Sequence, residues 1–302
     1  MNKRILIAFL TLAFLLSGCT KPDGTRKYYI SDIEIYIETP VWELAKAVKS
    51  QSVSKIERII ATNPDYINYQ DPNFGATLLM WSIGSEKYRS AEKLLELGAD
   101  PDIPTTDYGE TPLFRASEYS WVDGLNKKNP KYVELLLSYG ADPNIAYVGL
   151  EEVGVKSVLE PGTSPLMNSI GCGIEKTKAL VEAGADLNYK SKYGTTAAVH
   201  ALRTEEDLSY AQYLIVEKKA IISEPYYNRF DDLGMESEYY PVDLLRDWIF
   251  DLDSEEYRIK MEIVEVFKGQ GVSYWDSPID DWTLEQIKKL YPDSWQEYIL
   301  KY

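Results

Sequence analysis

The chain holds one histidine, His200, and two cysteines, Cys19 and Cys172. A Ser-His-Asp or Cys-His site would have to use His200. That residue falls in the apolar run "TTAAVHAL" (195–202), where a packed or hydrogen-bonded ring within a helix is the expected role. One histidine and one spare cysteine fall short of the ligands a zinc site draws on. The stretch "DLDSEEYRIKME" (251–262) places Asp251, Asp253, Glu255 and Glu262 at positions 1, 3, 5 and 12 of a calcium loop. Position 6, where glycine makes the sharp turn, is Glu256, and the run flows into a helical pattern. It reads as a solvated acidic helix start, so neither metal nor other cofactor is expected. No dinucleotide fingerprint, P-loop or nucleophile elbow is present. The remaining carboxylates single out no acid/base pair. No catalytic residue is assigned, and the chemistry expected of this chain is binding rather than turnover.

Cys19 is a separate case. It closes "MNKRILIAFLTLAFLLSGC", in which Lys3 and Arg4 precede an apolar run from Ile5 to Leu16. That run is too short for an ordinary spanning helix and has the layout of a signal peptide. Leu16-Ser17-Gly18-Cys19 resembles the lipobox of bacterial lipoproteins. The resemblance implies cleavage before Cys19, diacylation of its thiol and a membrane attachment through lipid. Residues 1–18 would be the signal peptide and 19–38 a lipidated N-terminus and tether. Thr20, rather than Asp, follows the cysteine. In a Gram-negative cell this resembles an outer-membrane lipoprotein on the periplasmic side; in a Gram-positive cell the protein would sit on the extracellular face of the plasma membrane. Cleavage would leave Cys172 as the sole thiol, a small core residue in expectation. It would also leave 30 basic against 48 acidic side chains, a balance of −18 in place of −16. Such a surface repels nucleic acid.

Which elements would carry a binding surface? "LLELGADPDI" (94–103), "LLSYGADPNI" (136–145) and "LVEAGADLNY" (180–189) are three copies of one phrase. A second phrase, aromatic-Gly-x-Thr, runs Phe74-Gly75-Ala76-Thr77, Tyr108-Gly109-Glu110-Thr111 and Tyr193-Gly194-Thr195-Thr196, with a degraded copy at Pro161-Gly162-Thr163-Ser164. With Thr39-Pro40 as an earlier remnant, the starts at 39, 77, 111, 164 and 196 are spaced by 38, 34, 53 and 32 residues. A period in the thirties signals stacked helical repeats. "TPLF" (111–114), "SPLM" (164–167) and the three Gly-Ala-Asp triplets resemble the ankyrin repeat, from residue 39 to about 222 and weakly beyond. The histidine of the family pattern is replaced by Met80, Phe114 and Met167, so apolar packing must substitute for its hydrogen bonds. Thr111 and Ser164 suit N-caps, the prolines after them the first helical position, and Gly98, Gly140 and Gly184 left-handed helix ends.

The expected fold is therefore all-α: an ankyrin-repeat solenoid of helix-turn-helix units with projecting finger loops and a helical C-terminal cap. The array would cover 39–278 in five to six repeats, the last degenerate. The cap would cover 279–302, with Thr283 as its N-cap. The alternating stretch Ile33, Ile35, Ile37 would form a short strand or pack on the first repeat. Insertions at 118–129 and 147–162 are long for a compact array and are candidate functional loops. The resemblance implies binding of another protein through fingers and first helices. Tyr69, Phe74, Thr106, Tyr108, Tyr147, Tyr189 and Tyr193 are the finger candidates, and Trp121 is the least structural of the aromatics by its place in an insertion. Tyrosine gives interfaces area with a polar tip. The acid excess favours a basic partner. A monomeric, non-enzymatic, envelope-anchored binding protein is expected, by analogy one that restrains a secreted toxin or enzyme, the alternative being a structural envelope protein that holds an assembly near the membrane.

Overall fold

A computed structural model describes residues 28–122, 128–149, 159–204, 207–227 and 237–302. The chain divides into two compact units, Met1–Ala185 and Asp186–Tyr302.

Among the described residues the first unit holds four helix pairs: α1 Trp42–Lys49 with α2 Val53–Thr62, α3 Leu78–Gly84 with α4 Tyr88–Glu96, α5 Pro112–Ser117 with α6 Lys131–Ser138, and α7 Pro165–Asn168 with α8 Ile174–Glu182. The hydroxyls of Thr77, Thr111 and Ser164 cap α3, α5 and α7 by accepting from the amides of Met80, Phe114 and Met167. Each hydroxyl satisfies one of the first-turn donors that a helix leaves open, worth about 1 kcal/mol. The residues whose amides are captured, Met80, Phe114 and Met167, are themselves buried. α4 ends when Gly98, at φ +92°, turns the chain so that Gly98 N donates to Leu95 O and Ala99 N to Leu94 O. Gly140 and Gly184 repeat that ending on Leu137 and Leu136, and on Val181 and Leu180. Leu94, Leu136 and Leu180 sit at zero exposure. Burying each contributes roughly 1.5–3 kcal/mol.

Repeats are held in register by polar side chains six residues beyond each helix end. Asn68 Oδ1 accepts from Asp100 N, and Asp102 Oδ1 from Asp142 N. Asn144 Nδ2 donates to Gly184 O. Ile33–Tyr36 forms a 3-10 turn rather than a strand; Tyr36 is buried, its hydroxyl donating to Ala76 O, and Trp81 Nε1 donates to Ser31 O. Packing on the repeats is thus how this stretch resolves.

The second unit continues with α9 Ala197–Leu202, capped by Thr196, and α10 Ser209–Ala211, which runs into the π-helical stretch Gln212–Glu217. Asn188 Oδ1 accepts from Ile221 N, continuing the pattern of Asn68 and Asp102. A two-residue ladder, β1 Tyr226–Tyr227 with β2 Glu238–Tyr239, precedes α11 Pro241–Arg246. α12 is Glu255–Gly269; α13 Asp281–Leu290 and α14 Trp295–Tyr298 complete the unit. The N-cap of α13 is Asp280, accepting from Thr283 N, and not Thr283. Thr283 lies buried inside the helix, its hydroxyl donating to Asp247. Two cations are enclosed among tyrosines here. Lys260 Nζ donates to Trp248 O at 2.8 Å and lies 3.6 Å from the Tyr302 ring centre, while Arg246 donates to Ser277 O and Tyr302 O.

Candidate functional site

Each finger is closed at its base by a main-chain bond: Asp71 N to Ala76 O, Thr105 N to Glu110 O, Tyr147 N to Thr163 O and, in the second unit, Ser191 N to Thr195 O. The first base is reinforced by the buried Asp71 carboxylate, which accepts from Asn73, Phe74 and Ala76. Thr105 and Ser191 give their hydroxyls to the same task. The fingers are then joined edge to edge. The oxygen of the residue before glycine accepts from the next finger: Phe74 O from Thr106 N at 2.8 Å, Tyr108 O from Gly149 N at 3.0 Å and Tyr193 O from Tyr227 N at 2.8 Å.

That approach explains the aromatic-Gly phrase. Gly75 has φ +69°, and a Cβ there would stand 2.5 Å from the Thr106 backbone nitrogen. Gly109, at φ +71°, would meet the Val148 side chain at 2.5 Å. Glycine is needed twice over, for the left-handed turn and for the neighbour's closeness.

The candidates divide on this frame. Phe74, Thr106, Tyr108 and Tyr147 come together on consecutive fingers. Thr106 is exposed, and Tyr69, Tyr108, Tyr189 and Tyr193 are half-buried. Phe74 and Tyr147 are not surface residues. Phe74 is buried, and Tyr147, only 2% exposed, stacks on Phe114 at 5.3 Å and lies 6.3 Å from Tyr108. Tyr147 stands at the finger base, in the place of Asp71 and Thr105, and the inserted residues follow it. Trp121 is seated at the other end of the first helices: its amide donates to Gly84 O, a Cβ on Gly84 would meet its ring at 2.4 Å, and Arg115 lies over it. It is structural, contrary to its place in an insertion. Tyr189 and Tyr193 belong to the second unit. Most of the 118–129 insertion's remainder, residues 123–127, and residues 150–158 of the other lie outside the described residues, as does Cys19.

One charged cluster went unforeseen. Arg115 pairs with Glu110 and Glu118, and Lys176, only 3% exposed, donates to Ala116 O at 2.9 Å and Glu118 O at 2.6 Å. Burial opposes the charge on Arg115, but the two glutamates hold it firmly protonated. Burial raises the Glu118 carboxyl against Arg115's pull, and lowers the Lys176 ammonium. Arg115, Glu118 and Lys176, with Glu86 and Lys131, line a cavity of about 20 Å³, the size for one water. No sequence signal links residues some sixty positions apart. The cluster fixes the α5–α8 packing and presents no free nucleophile.

Cys172 is buried, and burial pushes its thiol up to about 11. His200 reaches the surface in part, but Nε2 is shut from solvent without a hydrogen-bond partner; burial, with Arg203 adding, lowers its pKa to about 3. Glu255 to Glu262 are helical in α12 with Ser254 as N-cap, so the calcium-loop spacing does not form a loop. Among the described residues no group of three or more His, Cys, Asp or Glu could hold a metal ion, and no helix is long and apolar enough to cross a membrane.

A family model described as ankyrin repeats (3 copies) matches residues 44–147, from within α1 to Tyr147 at the base of the third finger. No curated protein matches the chain. The helix pairs and the matched repeats make the fold an all-α repeat array.

Proposed function

We propose that this ankyrin-repeat chain is a non-enzymatic protein-binding module tethered by lipid at Cys19 to the cell envelope, where it restrains a secreted toxin or enzyme. Ankyrin repeats are protein–protein interaction modules. The observation that carries the binding half is the bonded row of fingers in the first unit. Its described residues are bonded in place before a partner arrives, which lowers the entropy lost on association. Thr106 and the half-buried Tyr69 and Tyr108 are the contact residues there, with Tyr189 and Tyr193 on the fingers of the second unit. The chain's charge of −16 favours a partner with a basic surface, and steers its encounter.

The anchoring half rests on Leu16-Ser17-Gly18-Cys19 behind a basic and then apolar leader. Two acyl chains hold a protein to a bilayer where one does not. The location is the periplasmic side of the outer membrane in a Gram-negative cell, or the extracellular face of the plasma membrane in a Gram-positive one. Cell fractionation tests it. Wild-type protein should stay with membranes through a high-salt wash and leave only with detergent. Cys19→Ser should appear as soluble protein or as an uncut precursor. Release of the wild type by salt alone would end the lipid-anchor reading.

A further inference from the structure

The second unit holds a surface that the fingers do not account for. Leu252, Tyr257, Met261, Trp275 and Leu300 line an open groove of about 530 Å³. Leu300 is 78% exposed and Trp275 50%. A single exposed leucine is ordinary; one sharing a depression with an exposed tryptophan and a methionine is not. The groove is also braced. Tyr257 and Met261 lie four residues apart on α12 and so share a face. Tyr257 Oη donates to Lys301 O at 2.5 Å, tying α12 to the segment that carries Leu300. Trp275 meets the buried Tyr274 edge-on at 5.1 Å, and the Arg246 guanidinium stacks on Tyr274 at 3.9 Å. An aromatic held in this way loses little freedom on contact, which is what an interface anchor needs.

Charge decides what the groove fits. Asp253 is part of its wall, and Asp251, Glu256 and Asp276 are exposed chain neighbours of lining residues. Arg258 pairs with Glu255 and Lys268 with Glu265, but no ion pair neutralises those four acids among the described residues. Lys301 is a cation in the wall against them. An anionic lipid surface calls for a basic rim, the reverse of this one. We propose that the groove docks a basic amphipathic helix of a protein partner, apolar residues seating against Trp275 and Leu300 while lysines or arginines meet the acidic surround. This contact is separate from the fingers and does not depend on their role.

The probe is a labelled fourteen-residue peptide, LKKLLKLLKKLLKL, titrated into the purified protein at moderate salt. Micromolar binding is expected. Leu300→Asp should weaken it about tenfold or more, and Trp275→Ala likewise. Leu300 is so exposed that its variant should melt as the wild type does. A peptide of the same composition with the helical period scrambled, and one with glutamate for lysine, should each bind at least tenfold more weakly. Thr106→Arg in the fingers should leave the peptide's affinity unchanged, so failure here is separable from failure of the finger surface. The proposal is overturned if Leu300→Asp binds as well as wild type, or if the scrambled peptide does, which would mean charge attraction alone. Binding to phosphatidylglycerol vesicles that Leu300→Asp abolishes, or a sedimenting dimer that it dissolves, would equally overturn it by naming another occupant.

Discussion

Tyr147 shows how much one side chain's register matters. Its ring lies between Tyr108 and Phe114, at the base position that other fingers fill with Asp71 or Thr105. Tyr147→Ala should therefore cost about 3 kcal/mol or more, as aromatic-to-alanine changes in cores do, read as a shift in the urea midpoint with unchanged slope. An unaltered midpoint would return Tyr147 to the surface. In the sequence it reads as the first residue of an insertion and so as a surface aromatic, because the extra residues after it hide the repeat's phase. His200 supplies a second test. Its folded pKa of about 3 lies below the unfolded value near 6.5, so its contribution is complete above pH 6.5 and is lost as pH falls toward 3. His200→Leu removes this. Between pH 6 and 5 the wild type should lose up to about 1.4 kcal/mol more than the variant, and a pH-independent gap would show that the imidazole is not kept neutral by the fold.

At the level of helices and fingers, glycines that look alike do different work. Gly140 turns left-handed into open space, and Gly75 turns left-handed against the next finger. Gly140→Ala should cost only the conformational penalty, about 1–2 kcal/mol. Gly75→Ala should cost at least about 1 kcal/mol more, since the neighbour must withdraw and the Phe74–Thr106 bond goes with it. Equal midpoints for the two variants would contradict the edge-to-edge joining of fingers. Caps and helix ends were legible because they are local: Thr111 and Ser164 act on residues three positions away, and Gly98 on the turn it ends. What spans repeats was not. Asn68 and Asp102 carry no motif that marks a partner one repeat away, and Lys176 meets carbonyls of α5 and the loop after it that no spacing rule points to. The cap of α13 failed for a smaller reason. Asp280 and Thr283 are both good N-caps three residues apart, and the choice between them rests on Asp247, thirty-three residues before Asp280, which takes the threonine's hydroxyl.

For the molecule as a whole, the governing quantity is charge. A balance of −16 repels itself within any compact arrangement. Raising sodium chloride from about 10 to 200 mM, where the screening length shrinks from 30 toward 8 Å, should raise the melting temperature. Calcium or zinc at micromolar concentration and matched ionic strength should add nothing further. A saturable rise of several degrees would reveal a specific site, because a ligand at 100 times its dissociation constant adds about 2.7 kcal/mol. The finger surface was legible in outline, since the repeated aromatic-Gly phrase marks each tip. The groove of the second unit was not. Leu252, Trp275 and Leu300 come from three segments without a shared motif, and only the packing of α12 against the last turn brings them to one place.

The third finger carries a consequence for how this chain tolerates change. Its two ends are clamped, Tyr147 N to Thr163 O at 2.9 Å and Gly162 N to Tyr147 O at 2.8 Å. The base of the finger is thus closed by residues on the two sides of the insertion, outside residues 150–158. Halving or doubling such a loop alters its closure entropy by only about 0.6 kcal/mol. The clamp works as a socket: with the closing bonds at Tyr147, Gly162 and Thr163, a change in the number of residues from 150 to 158 is expected to leave the stack beneath at its spacing, read as an unshifted melting temperature.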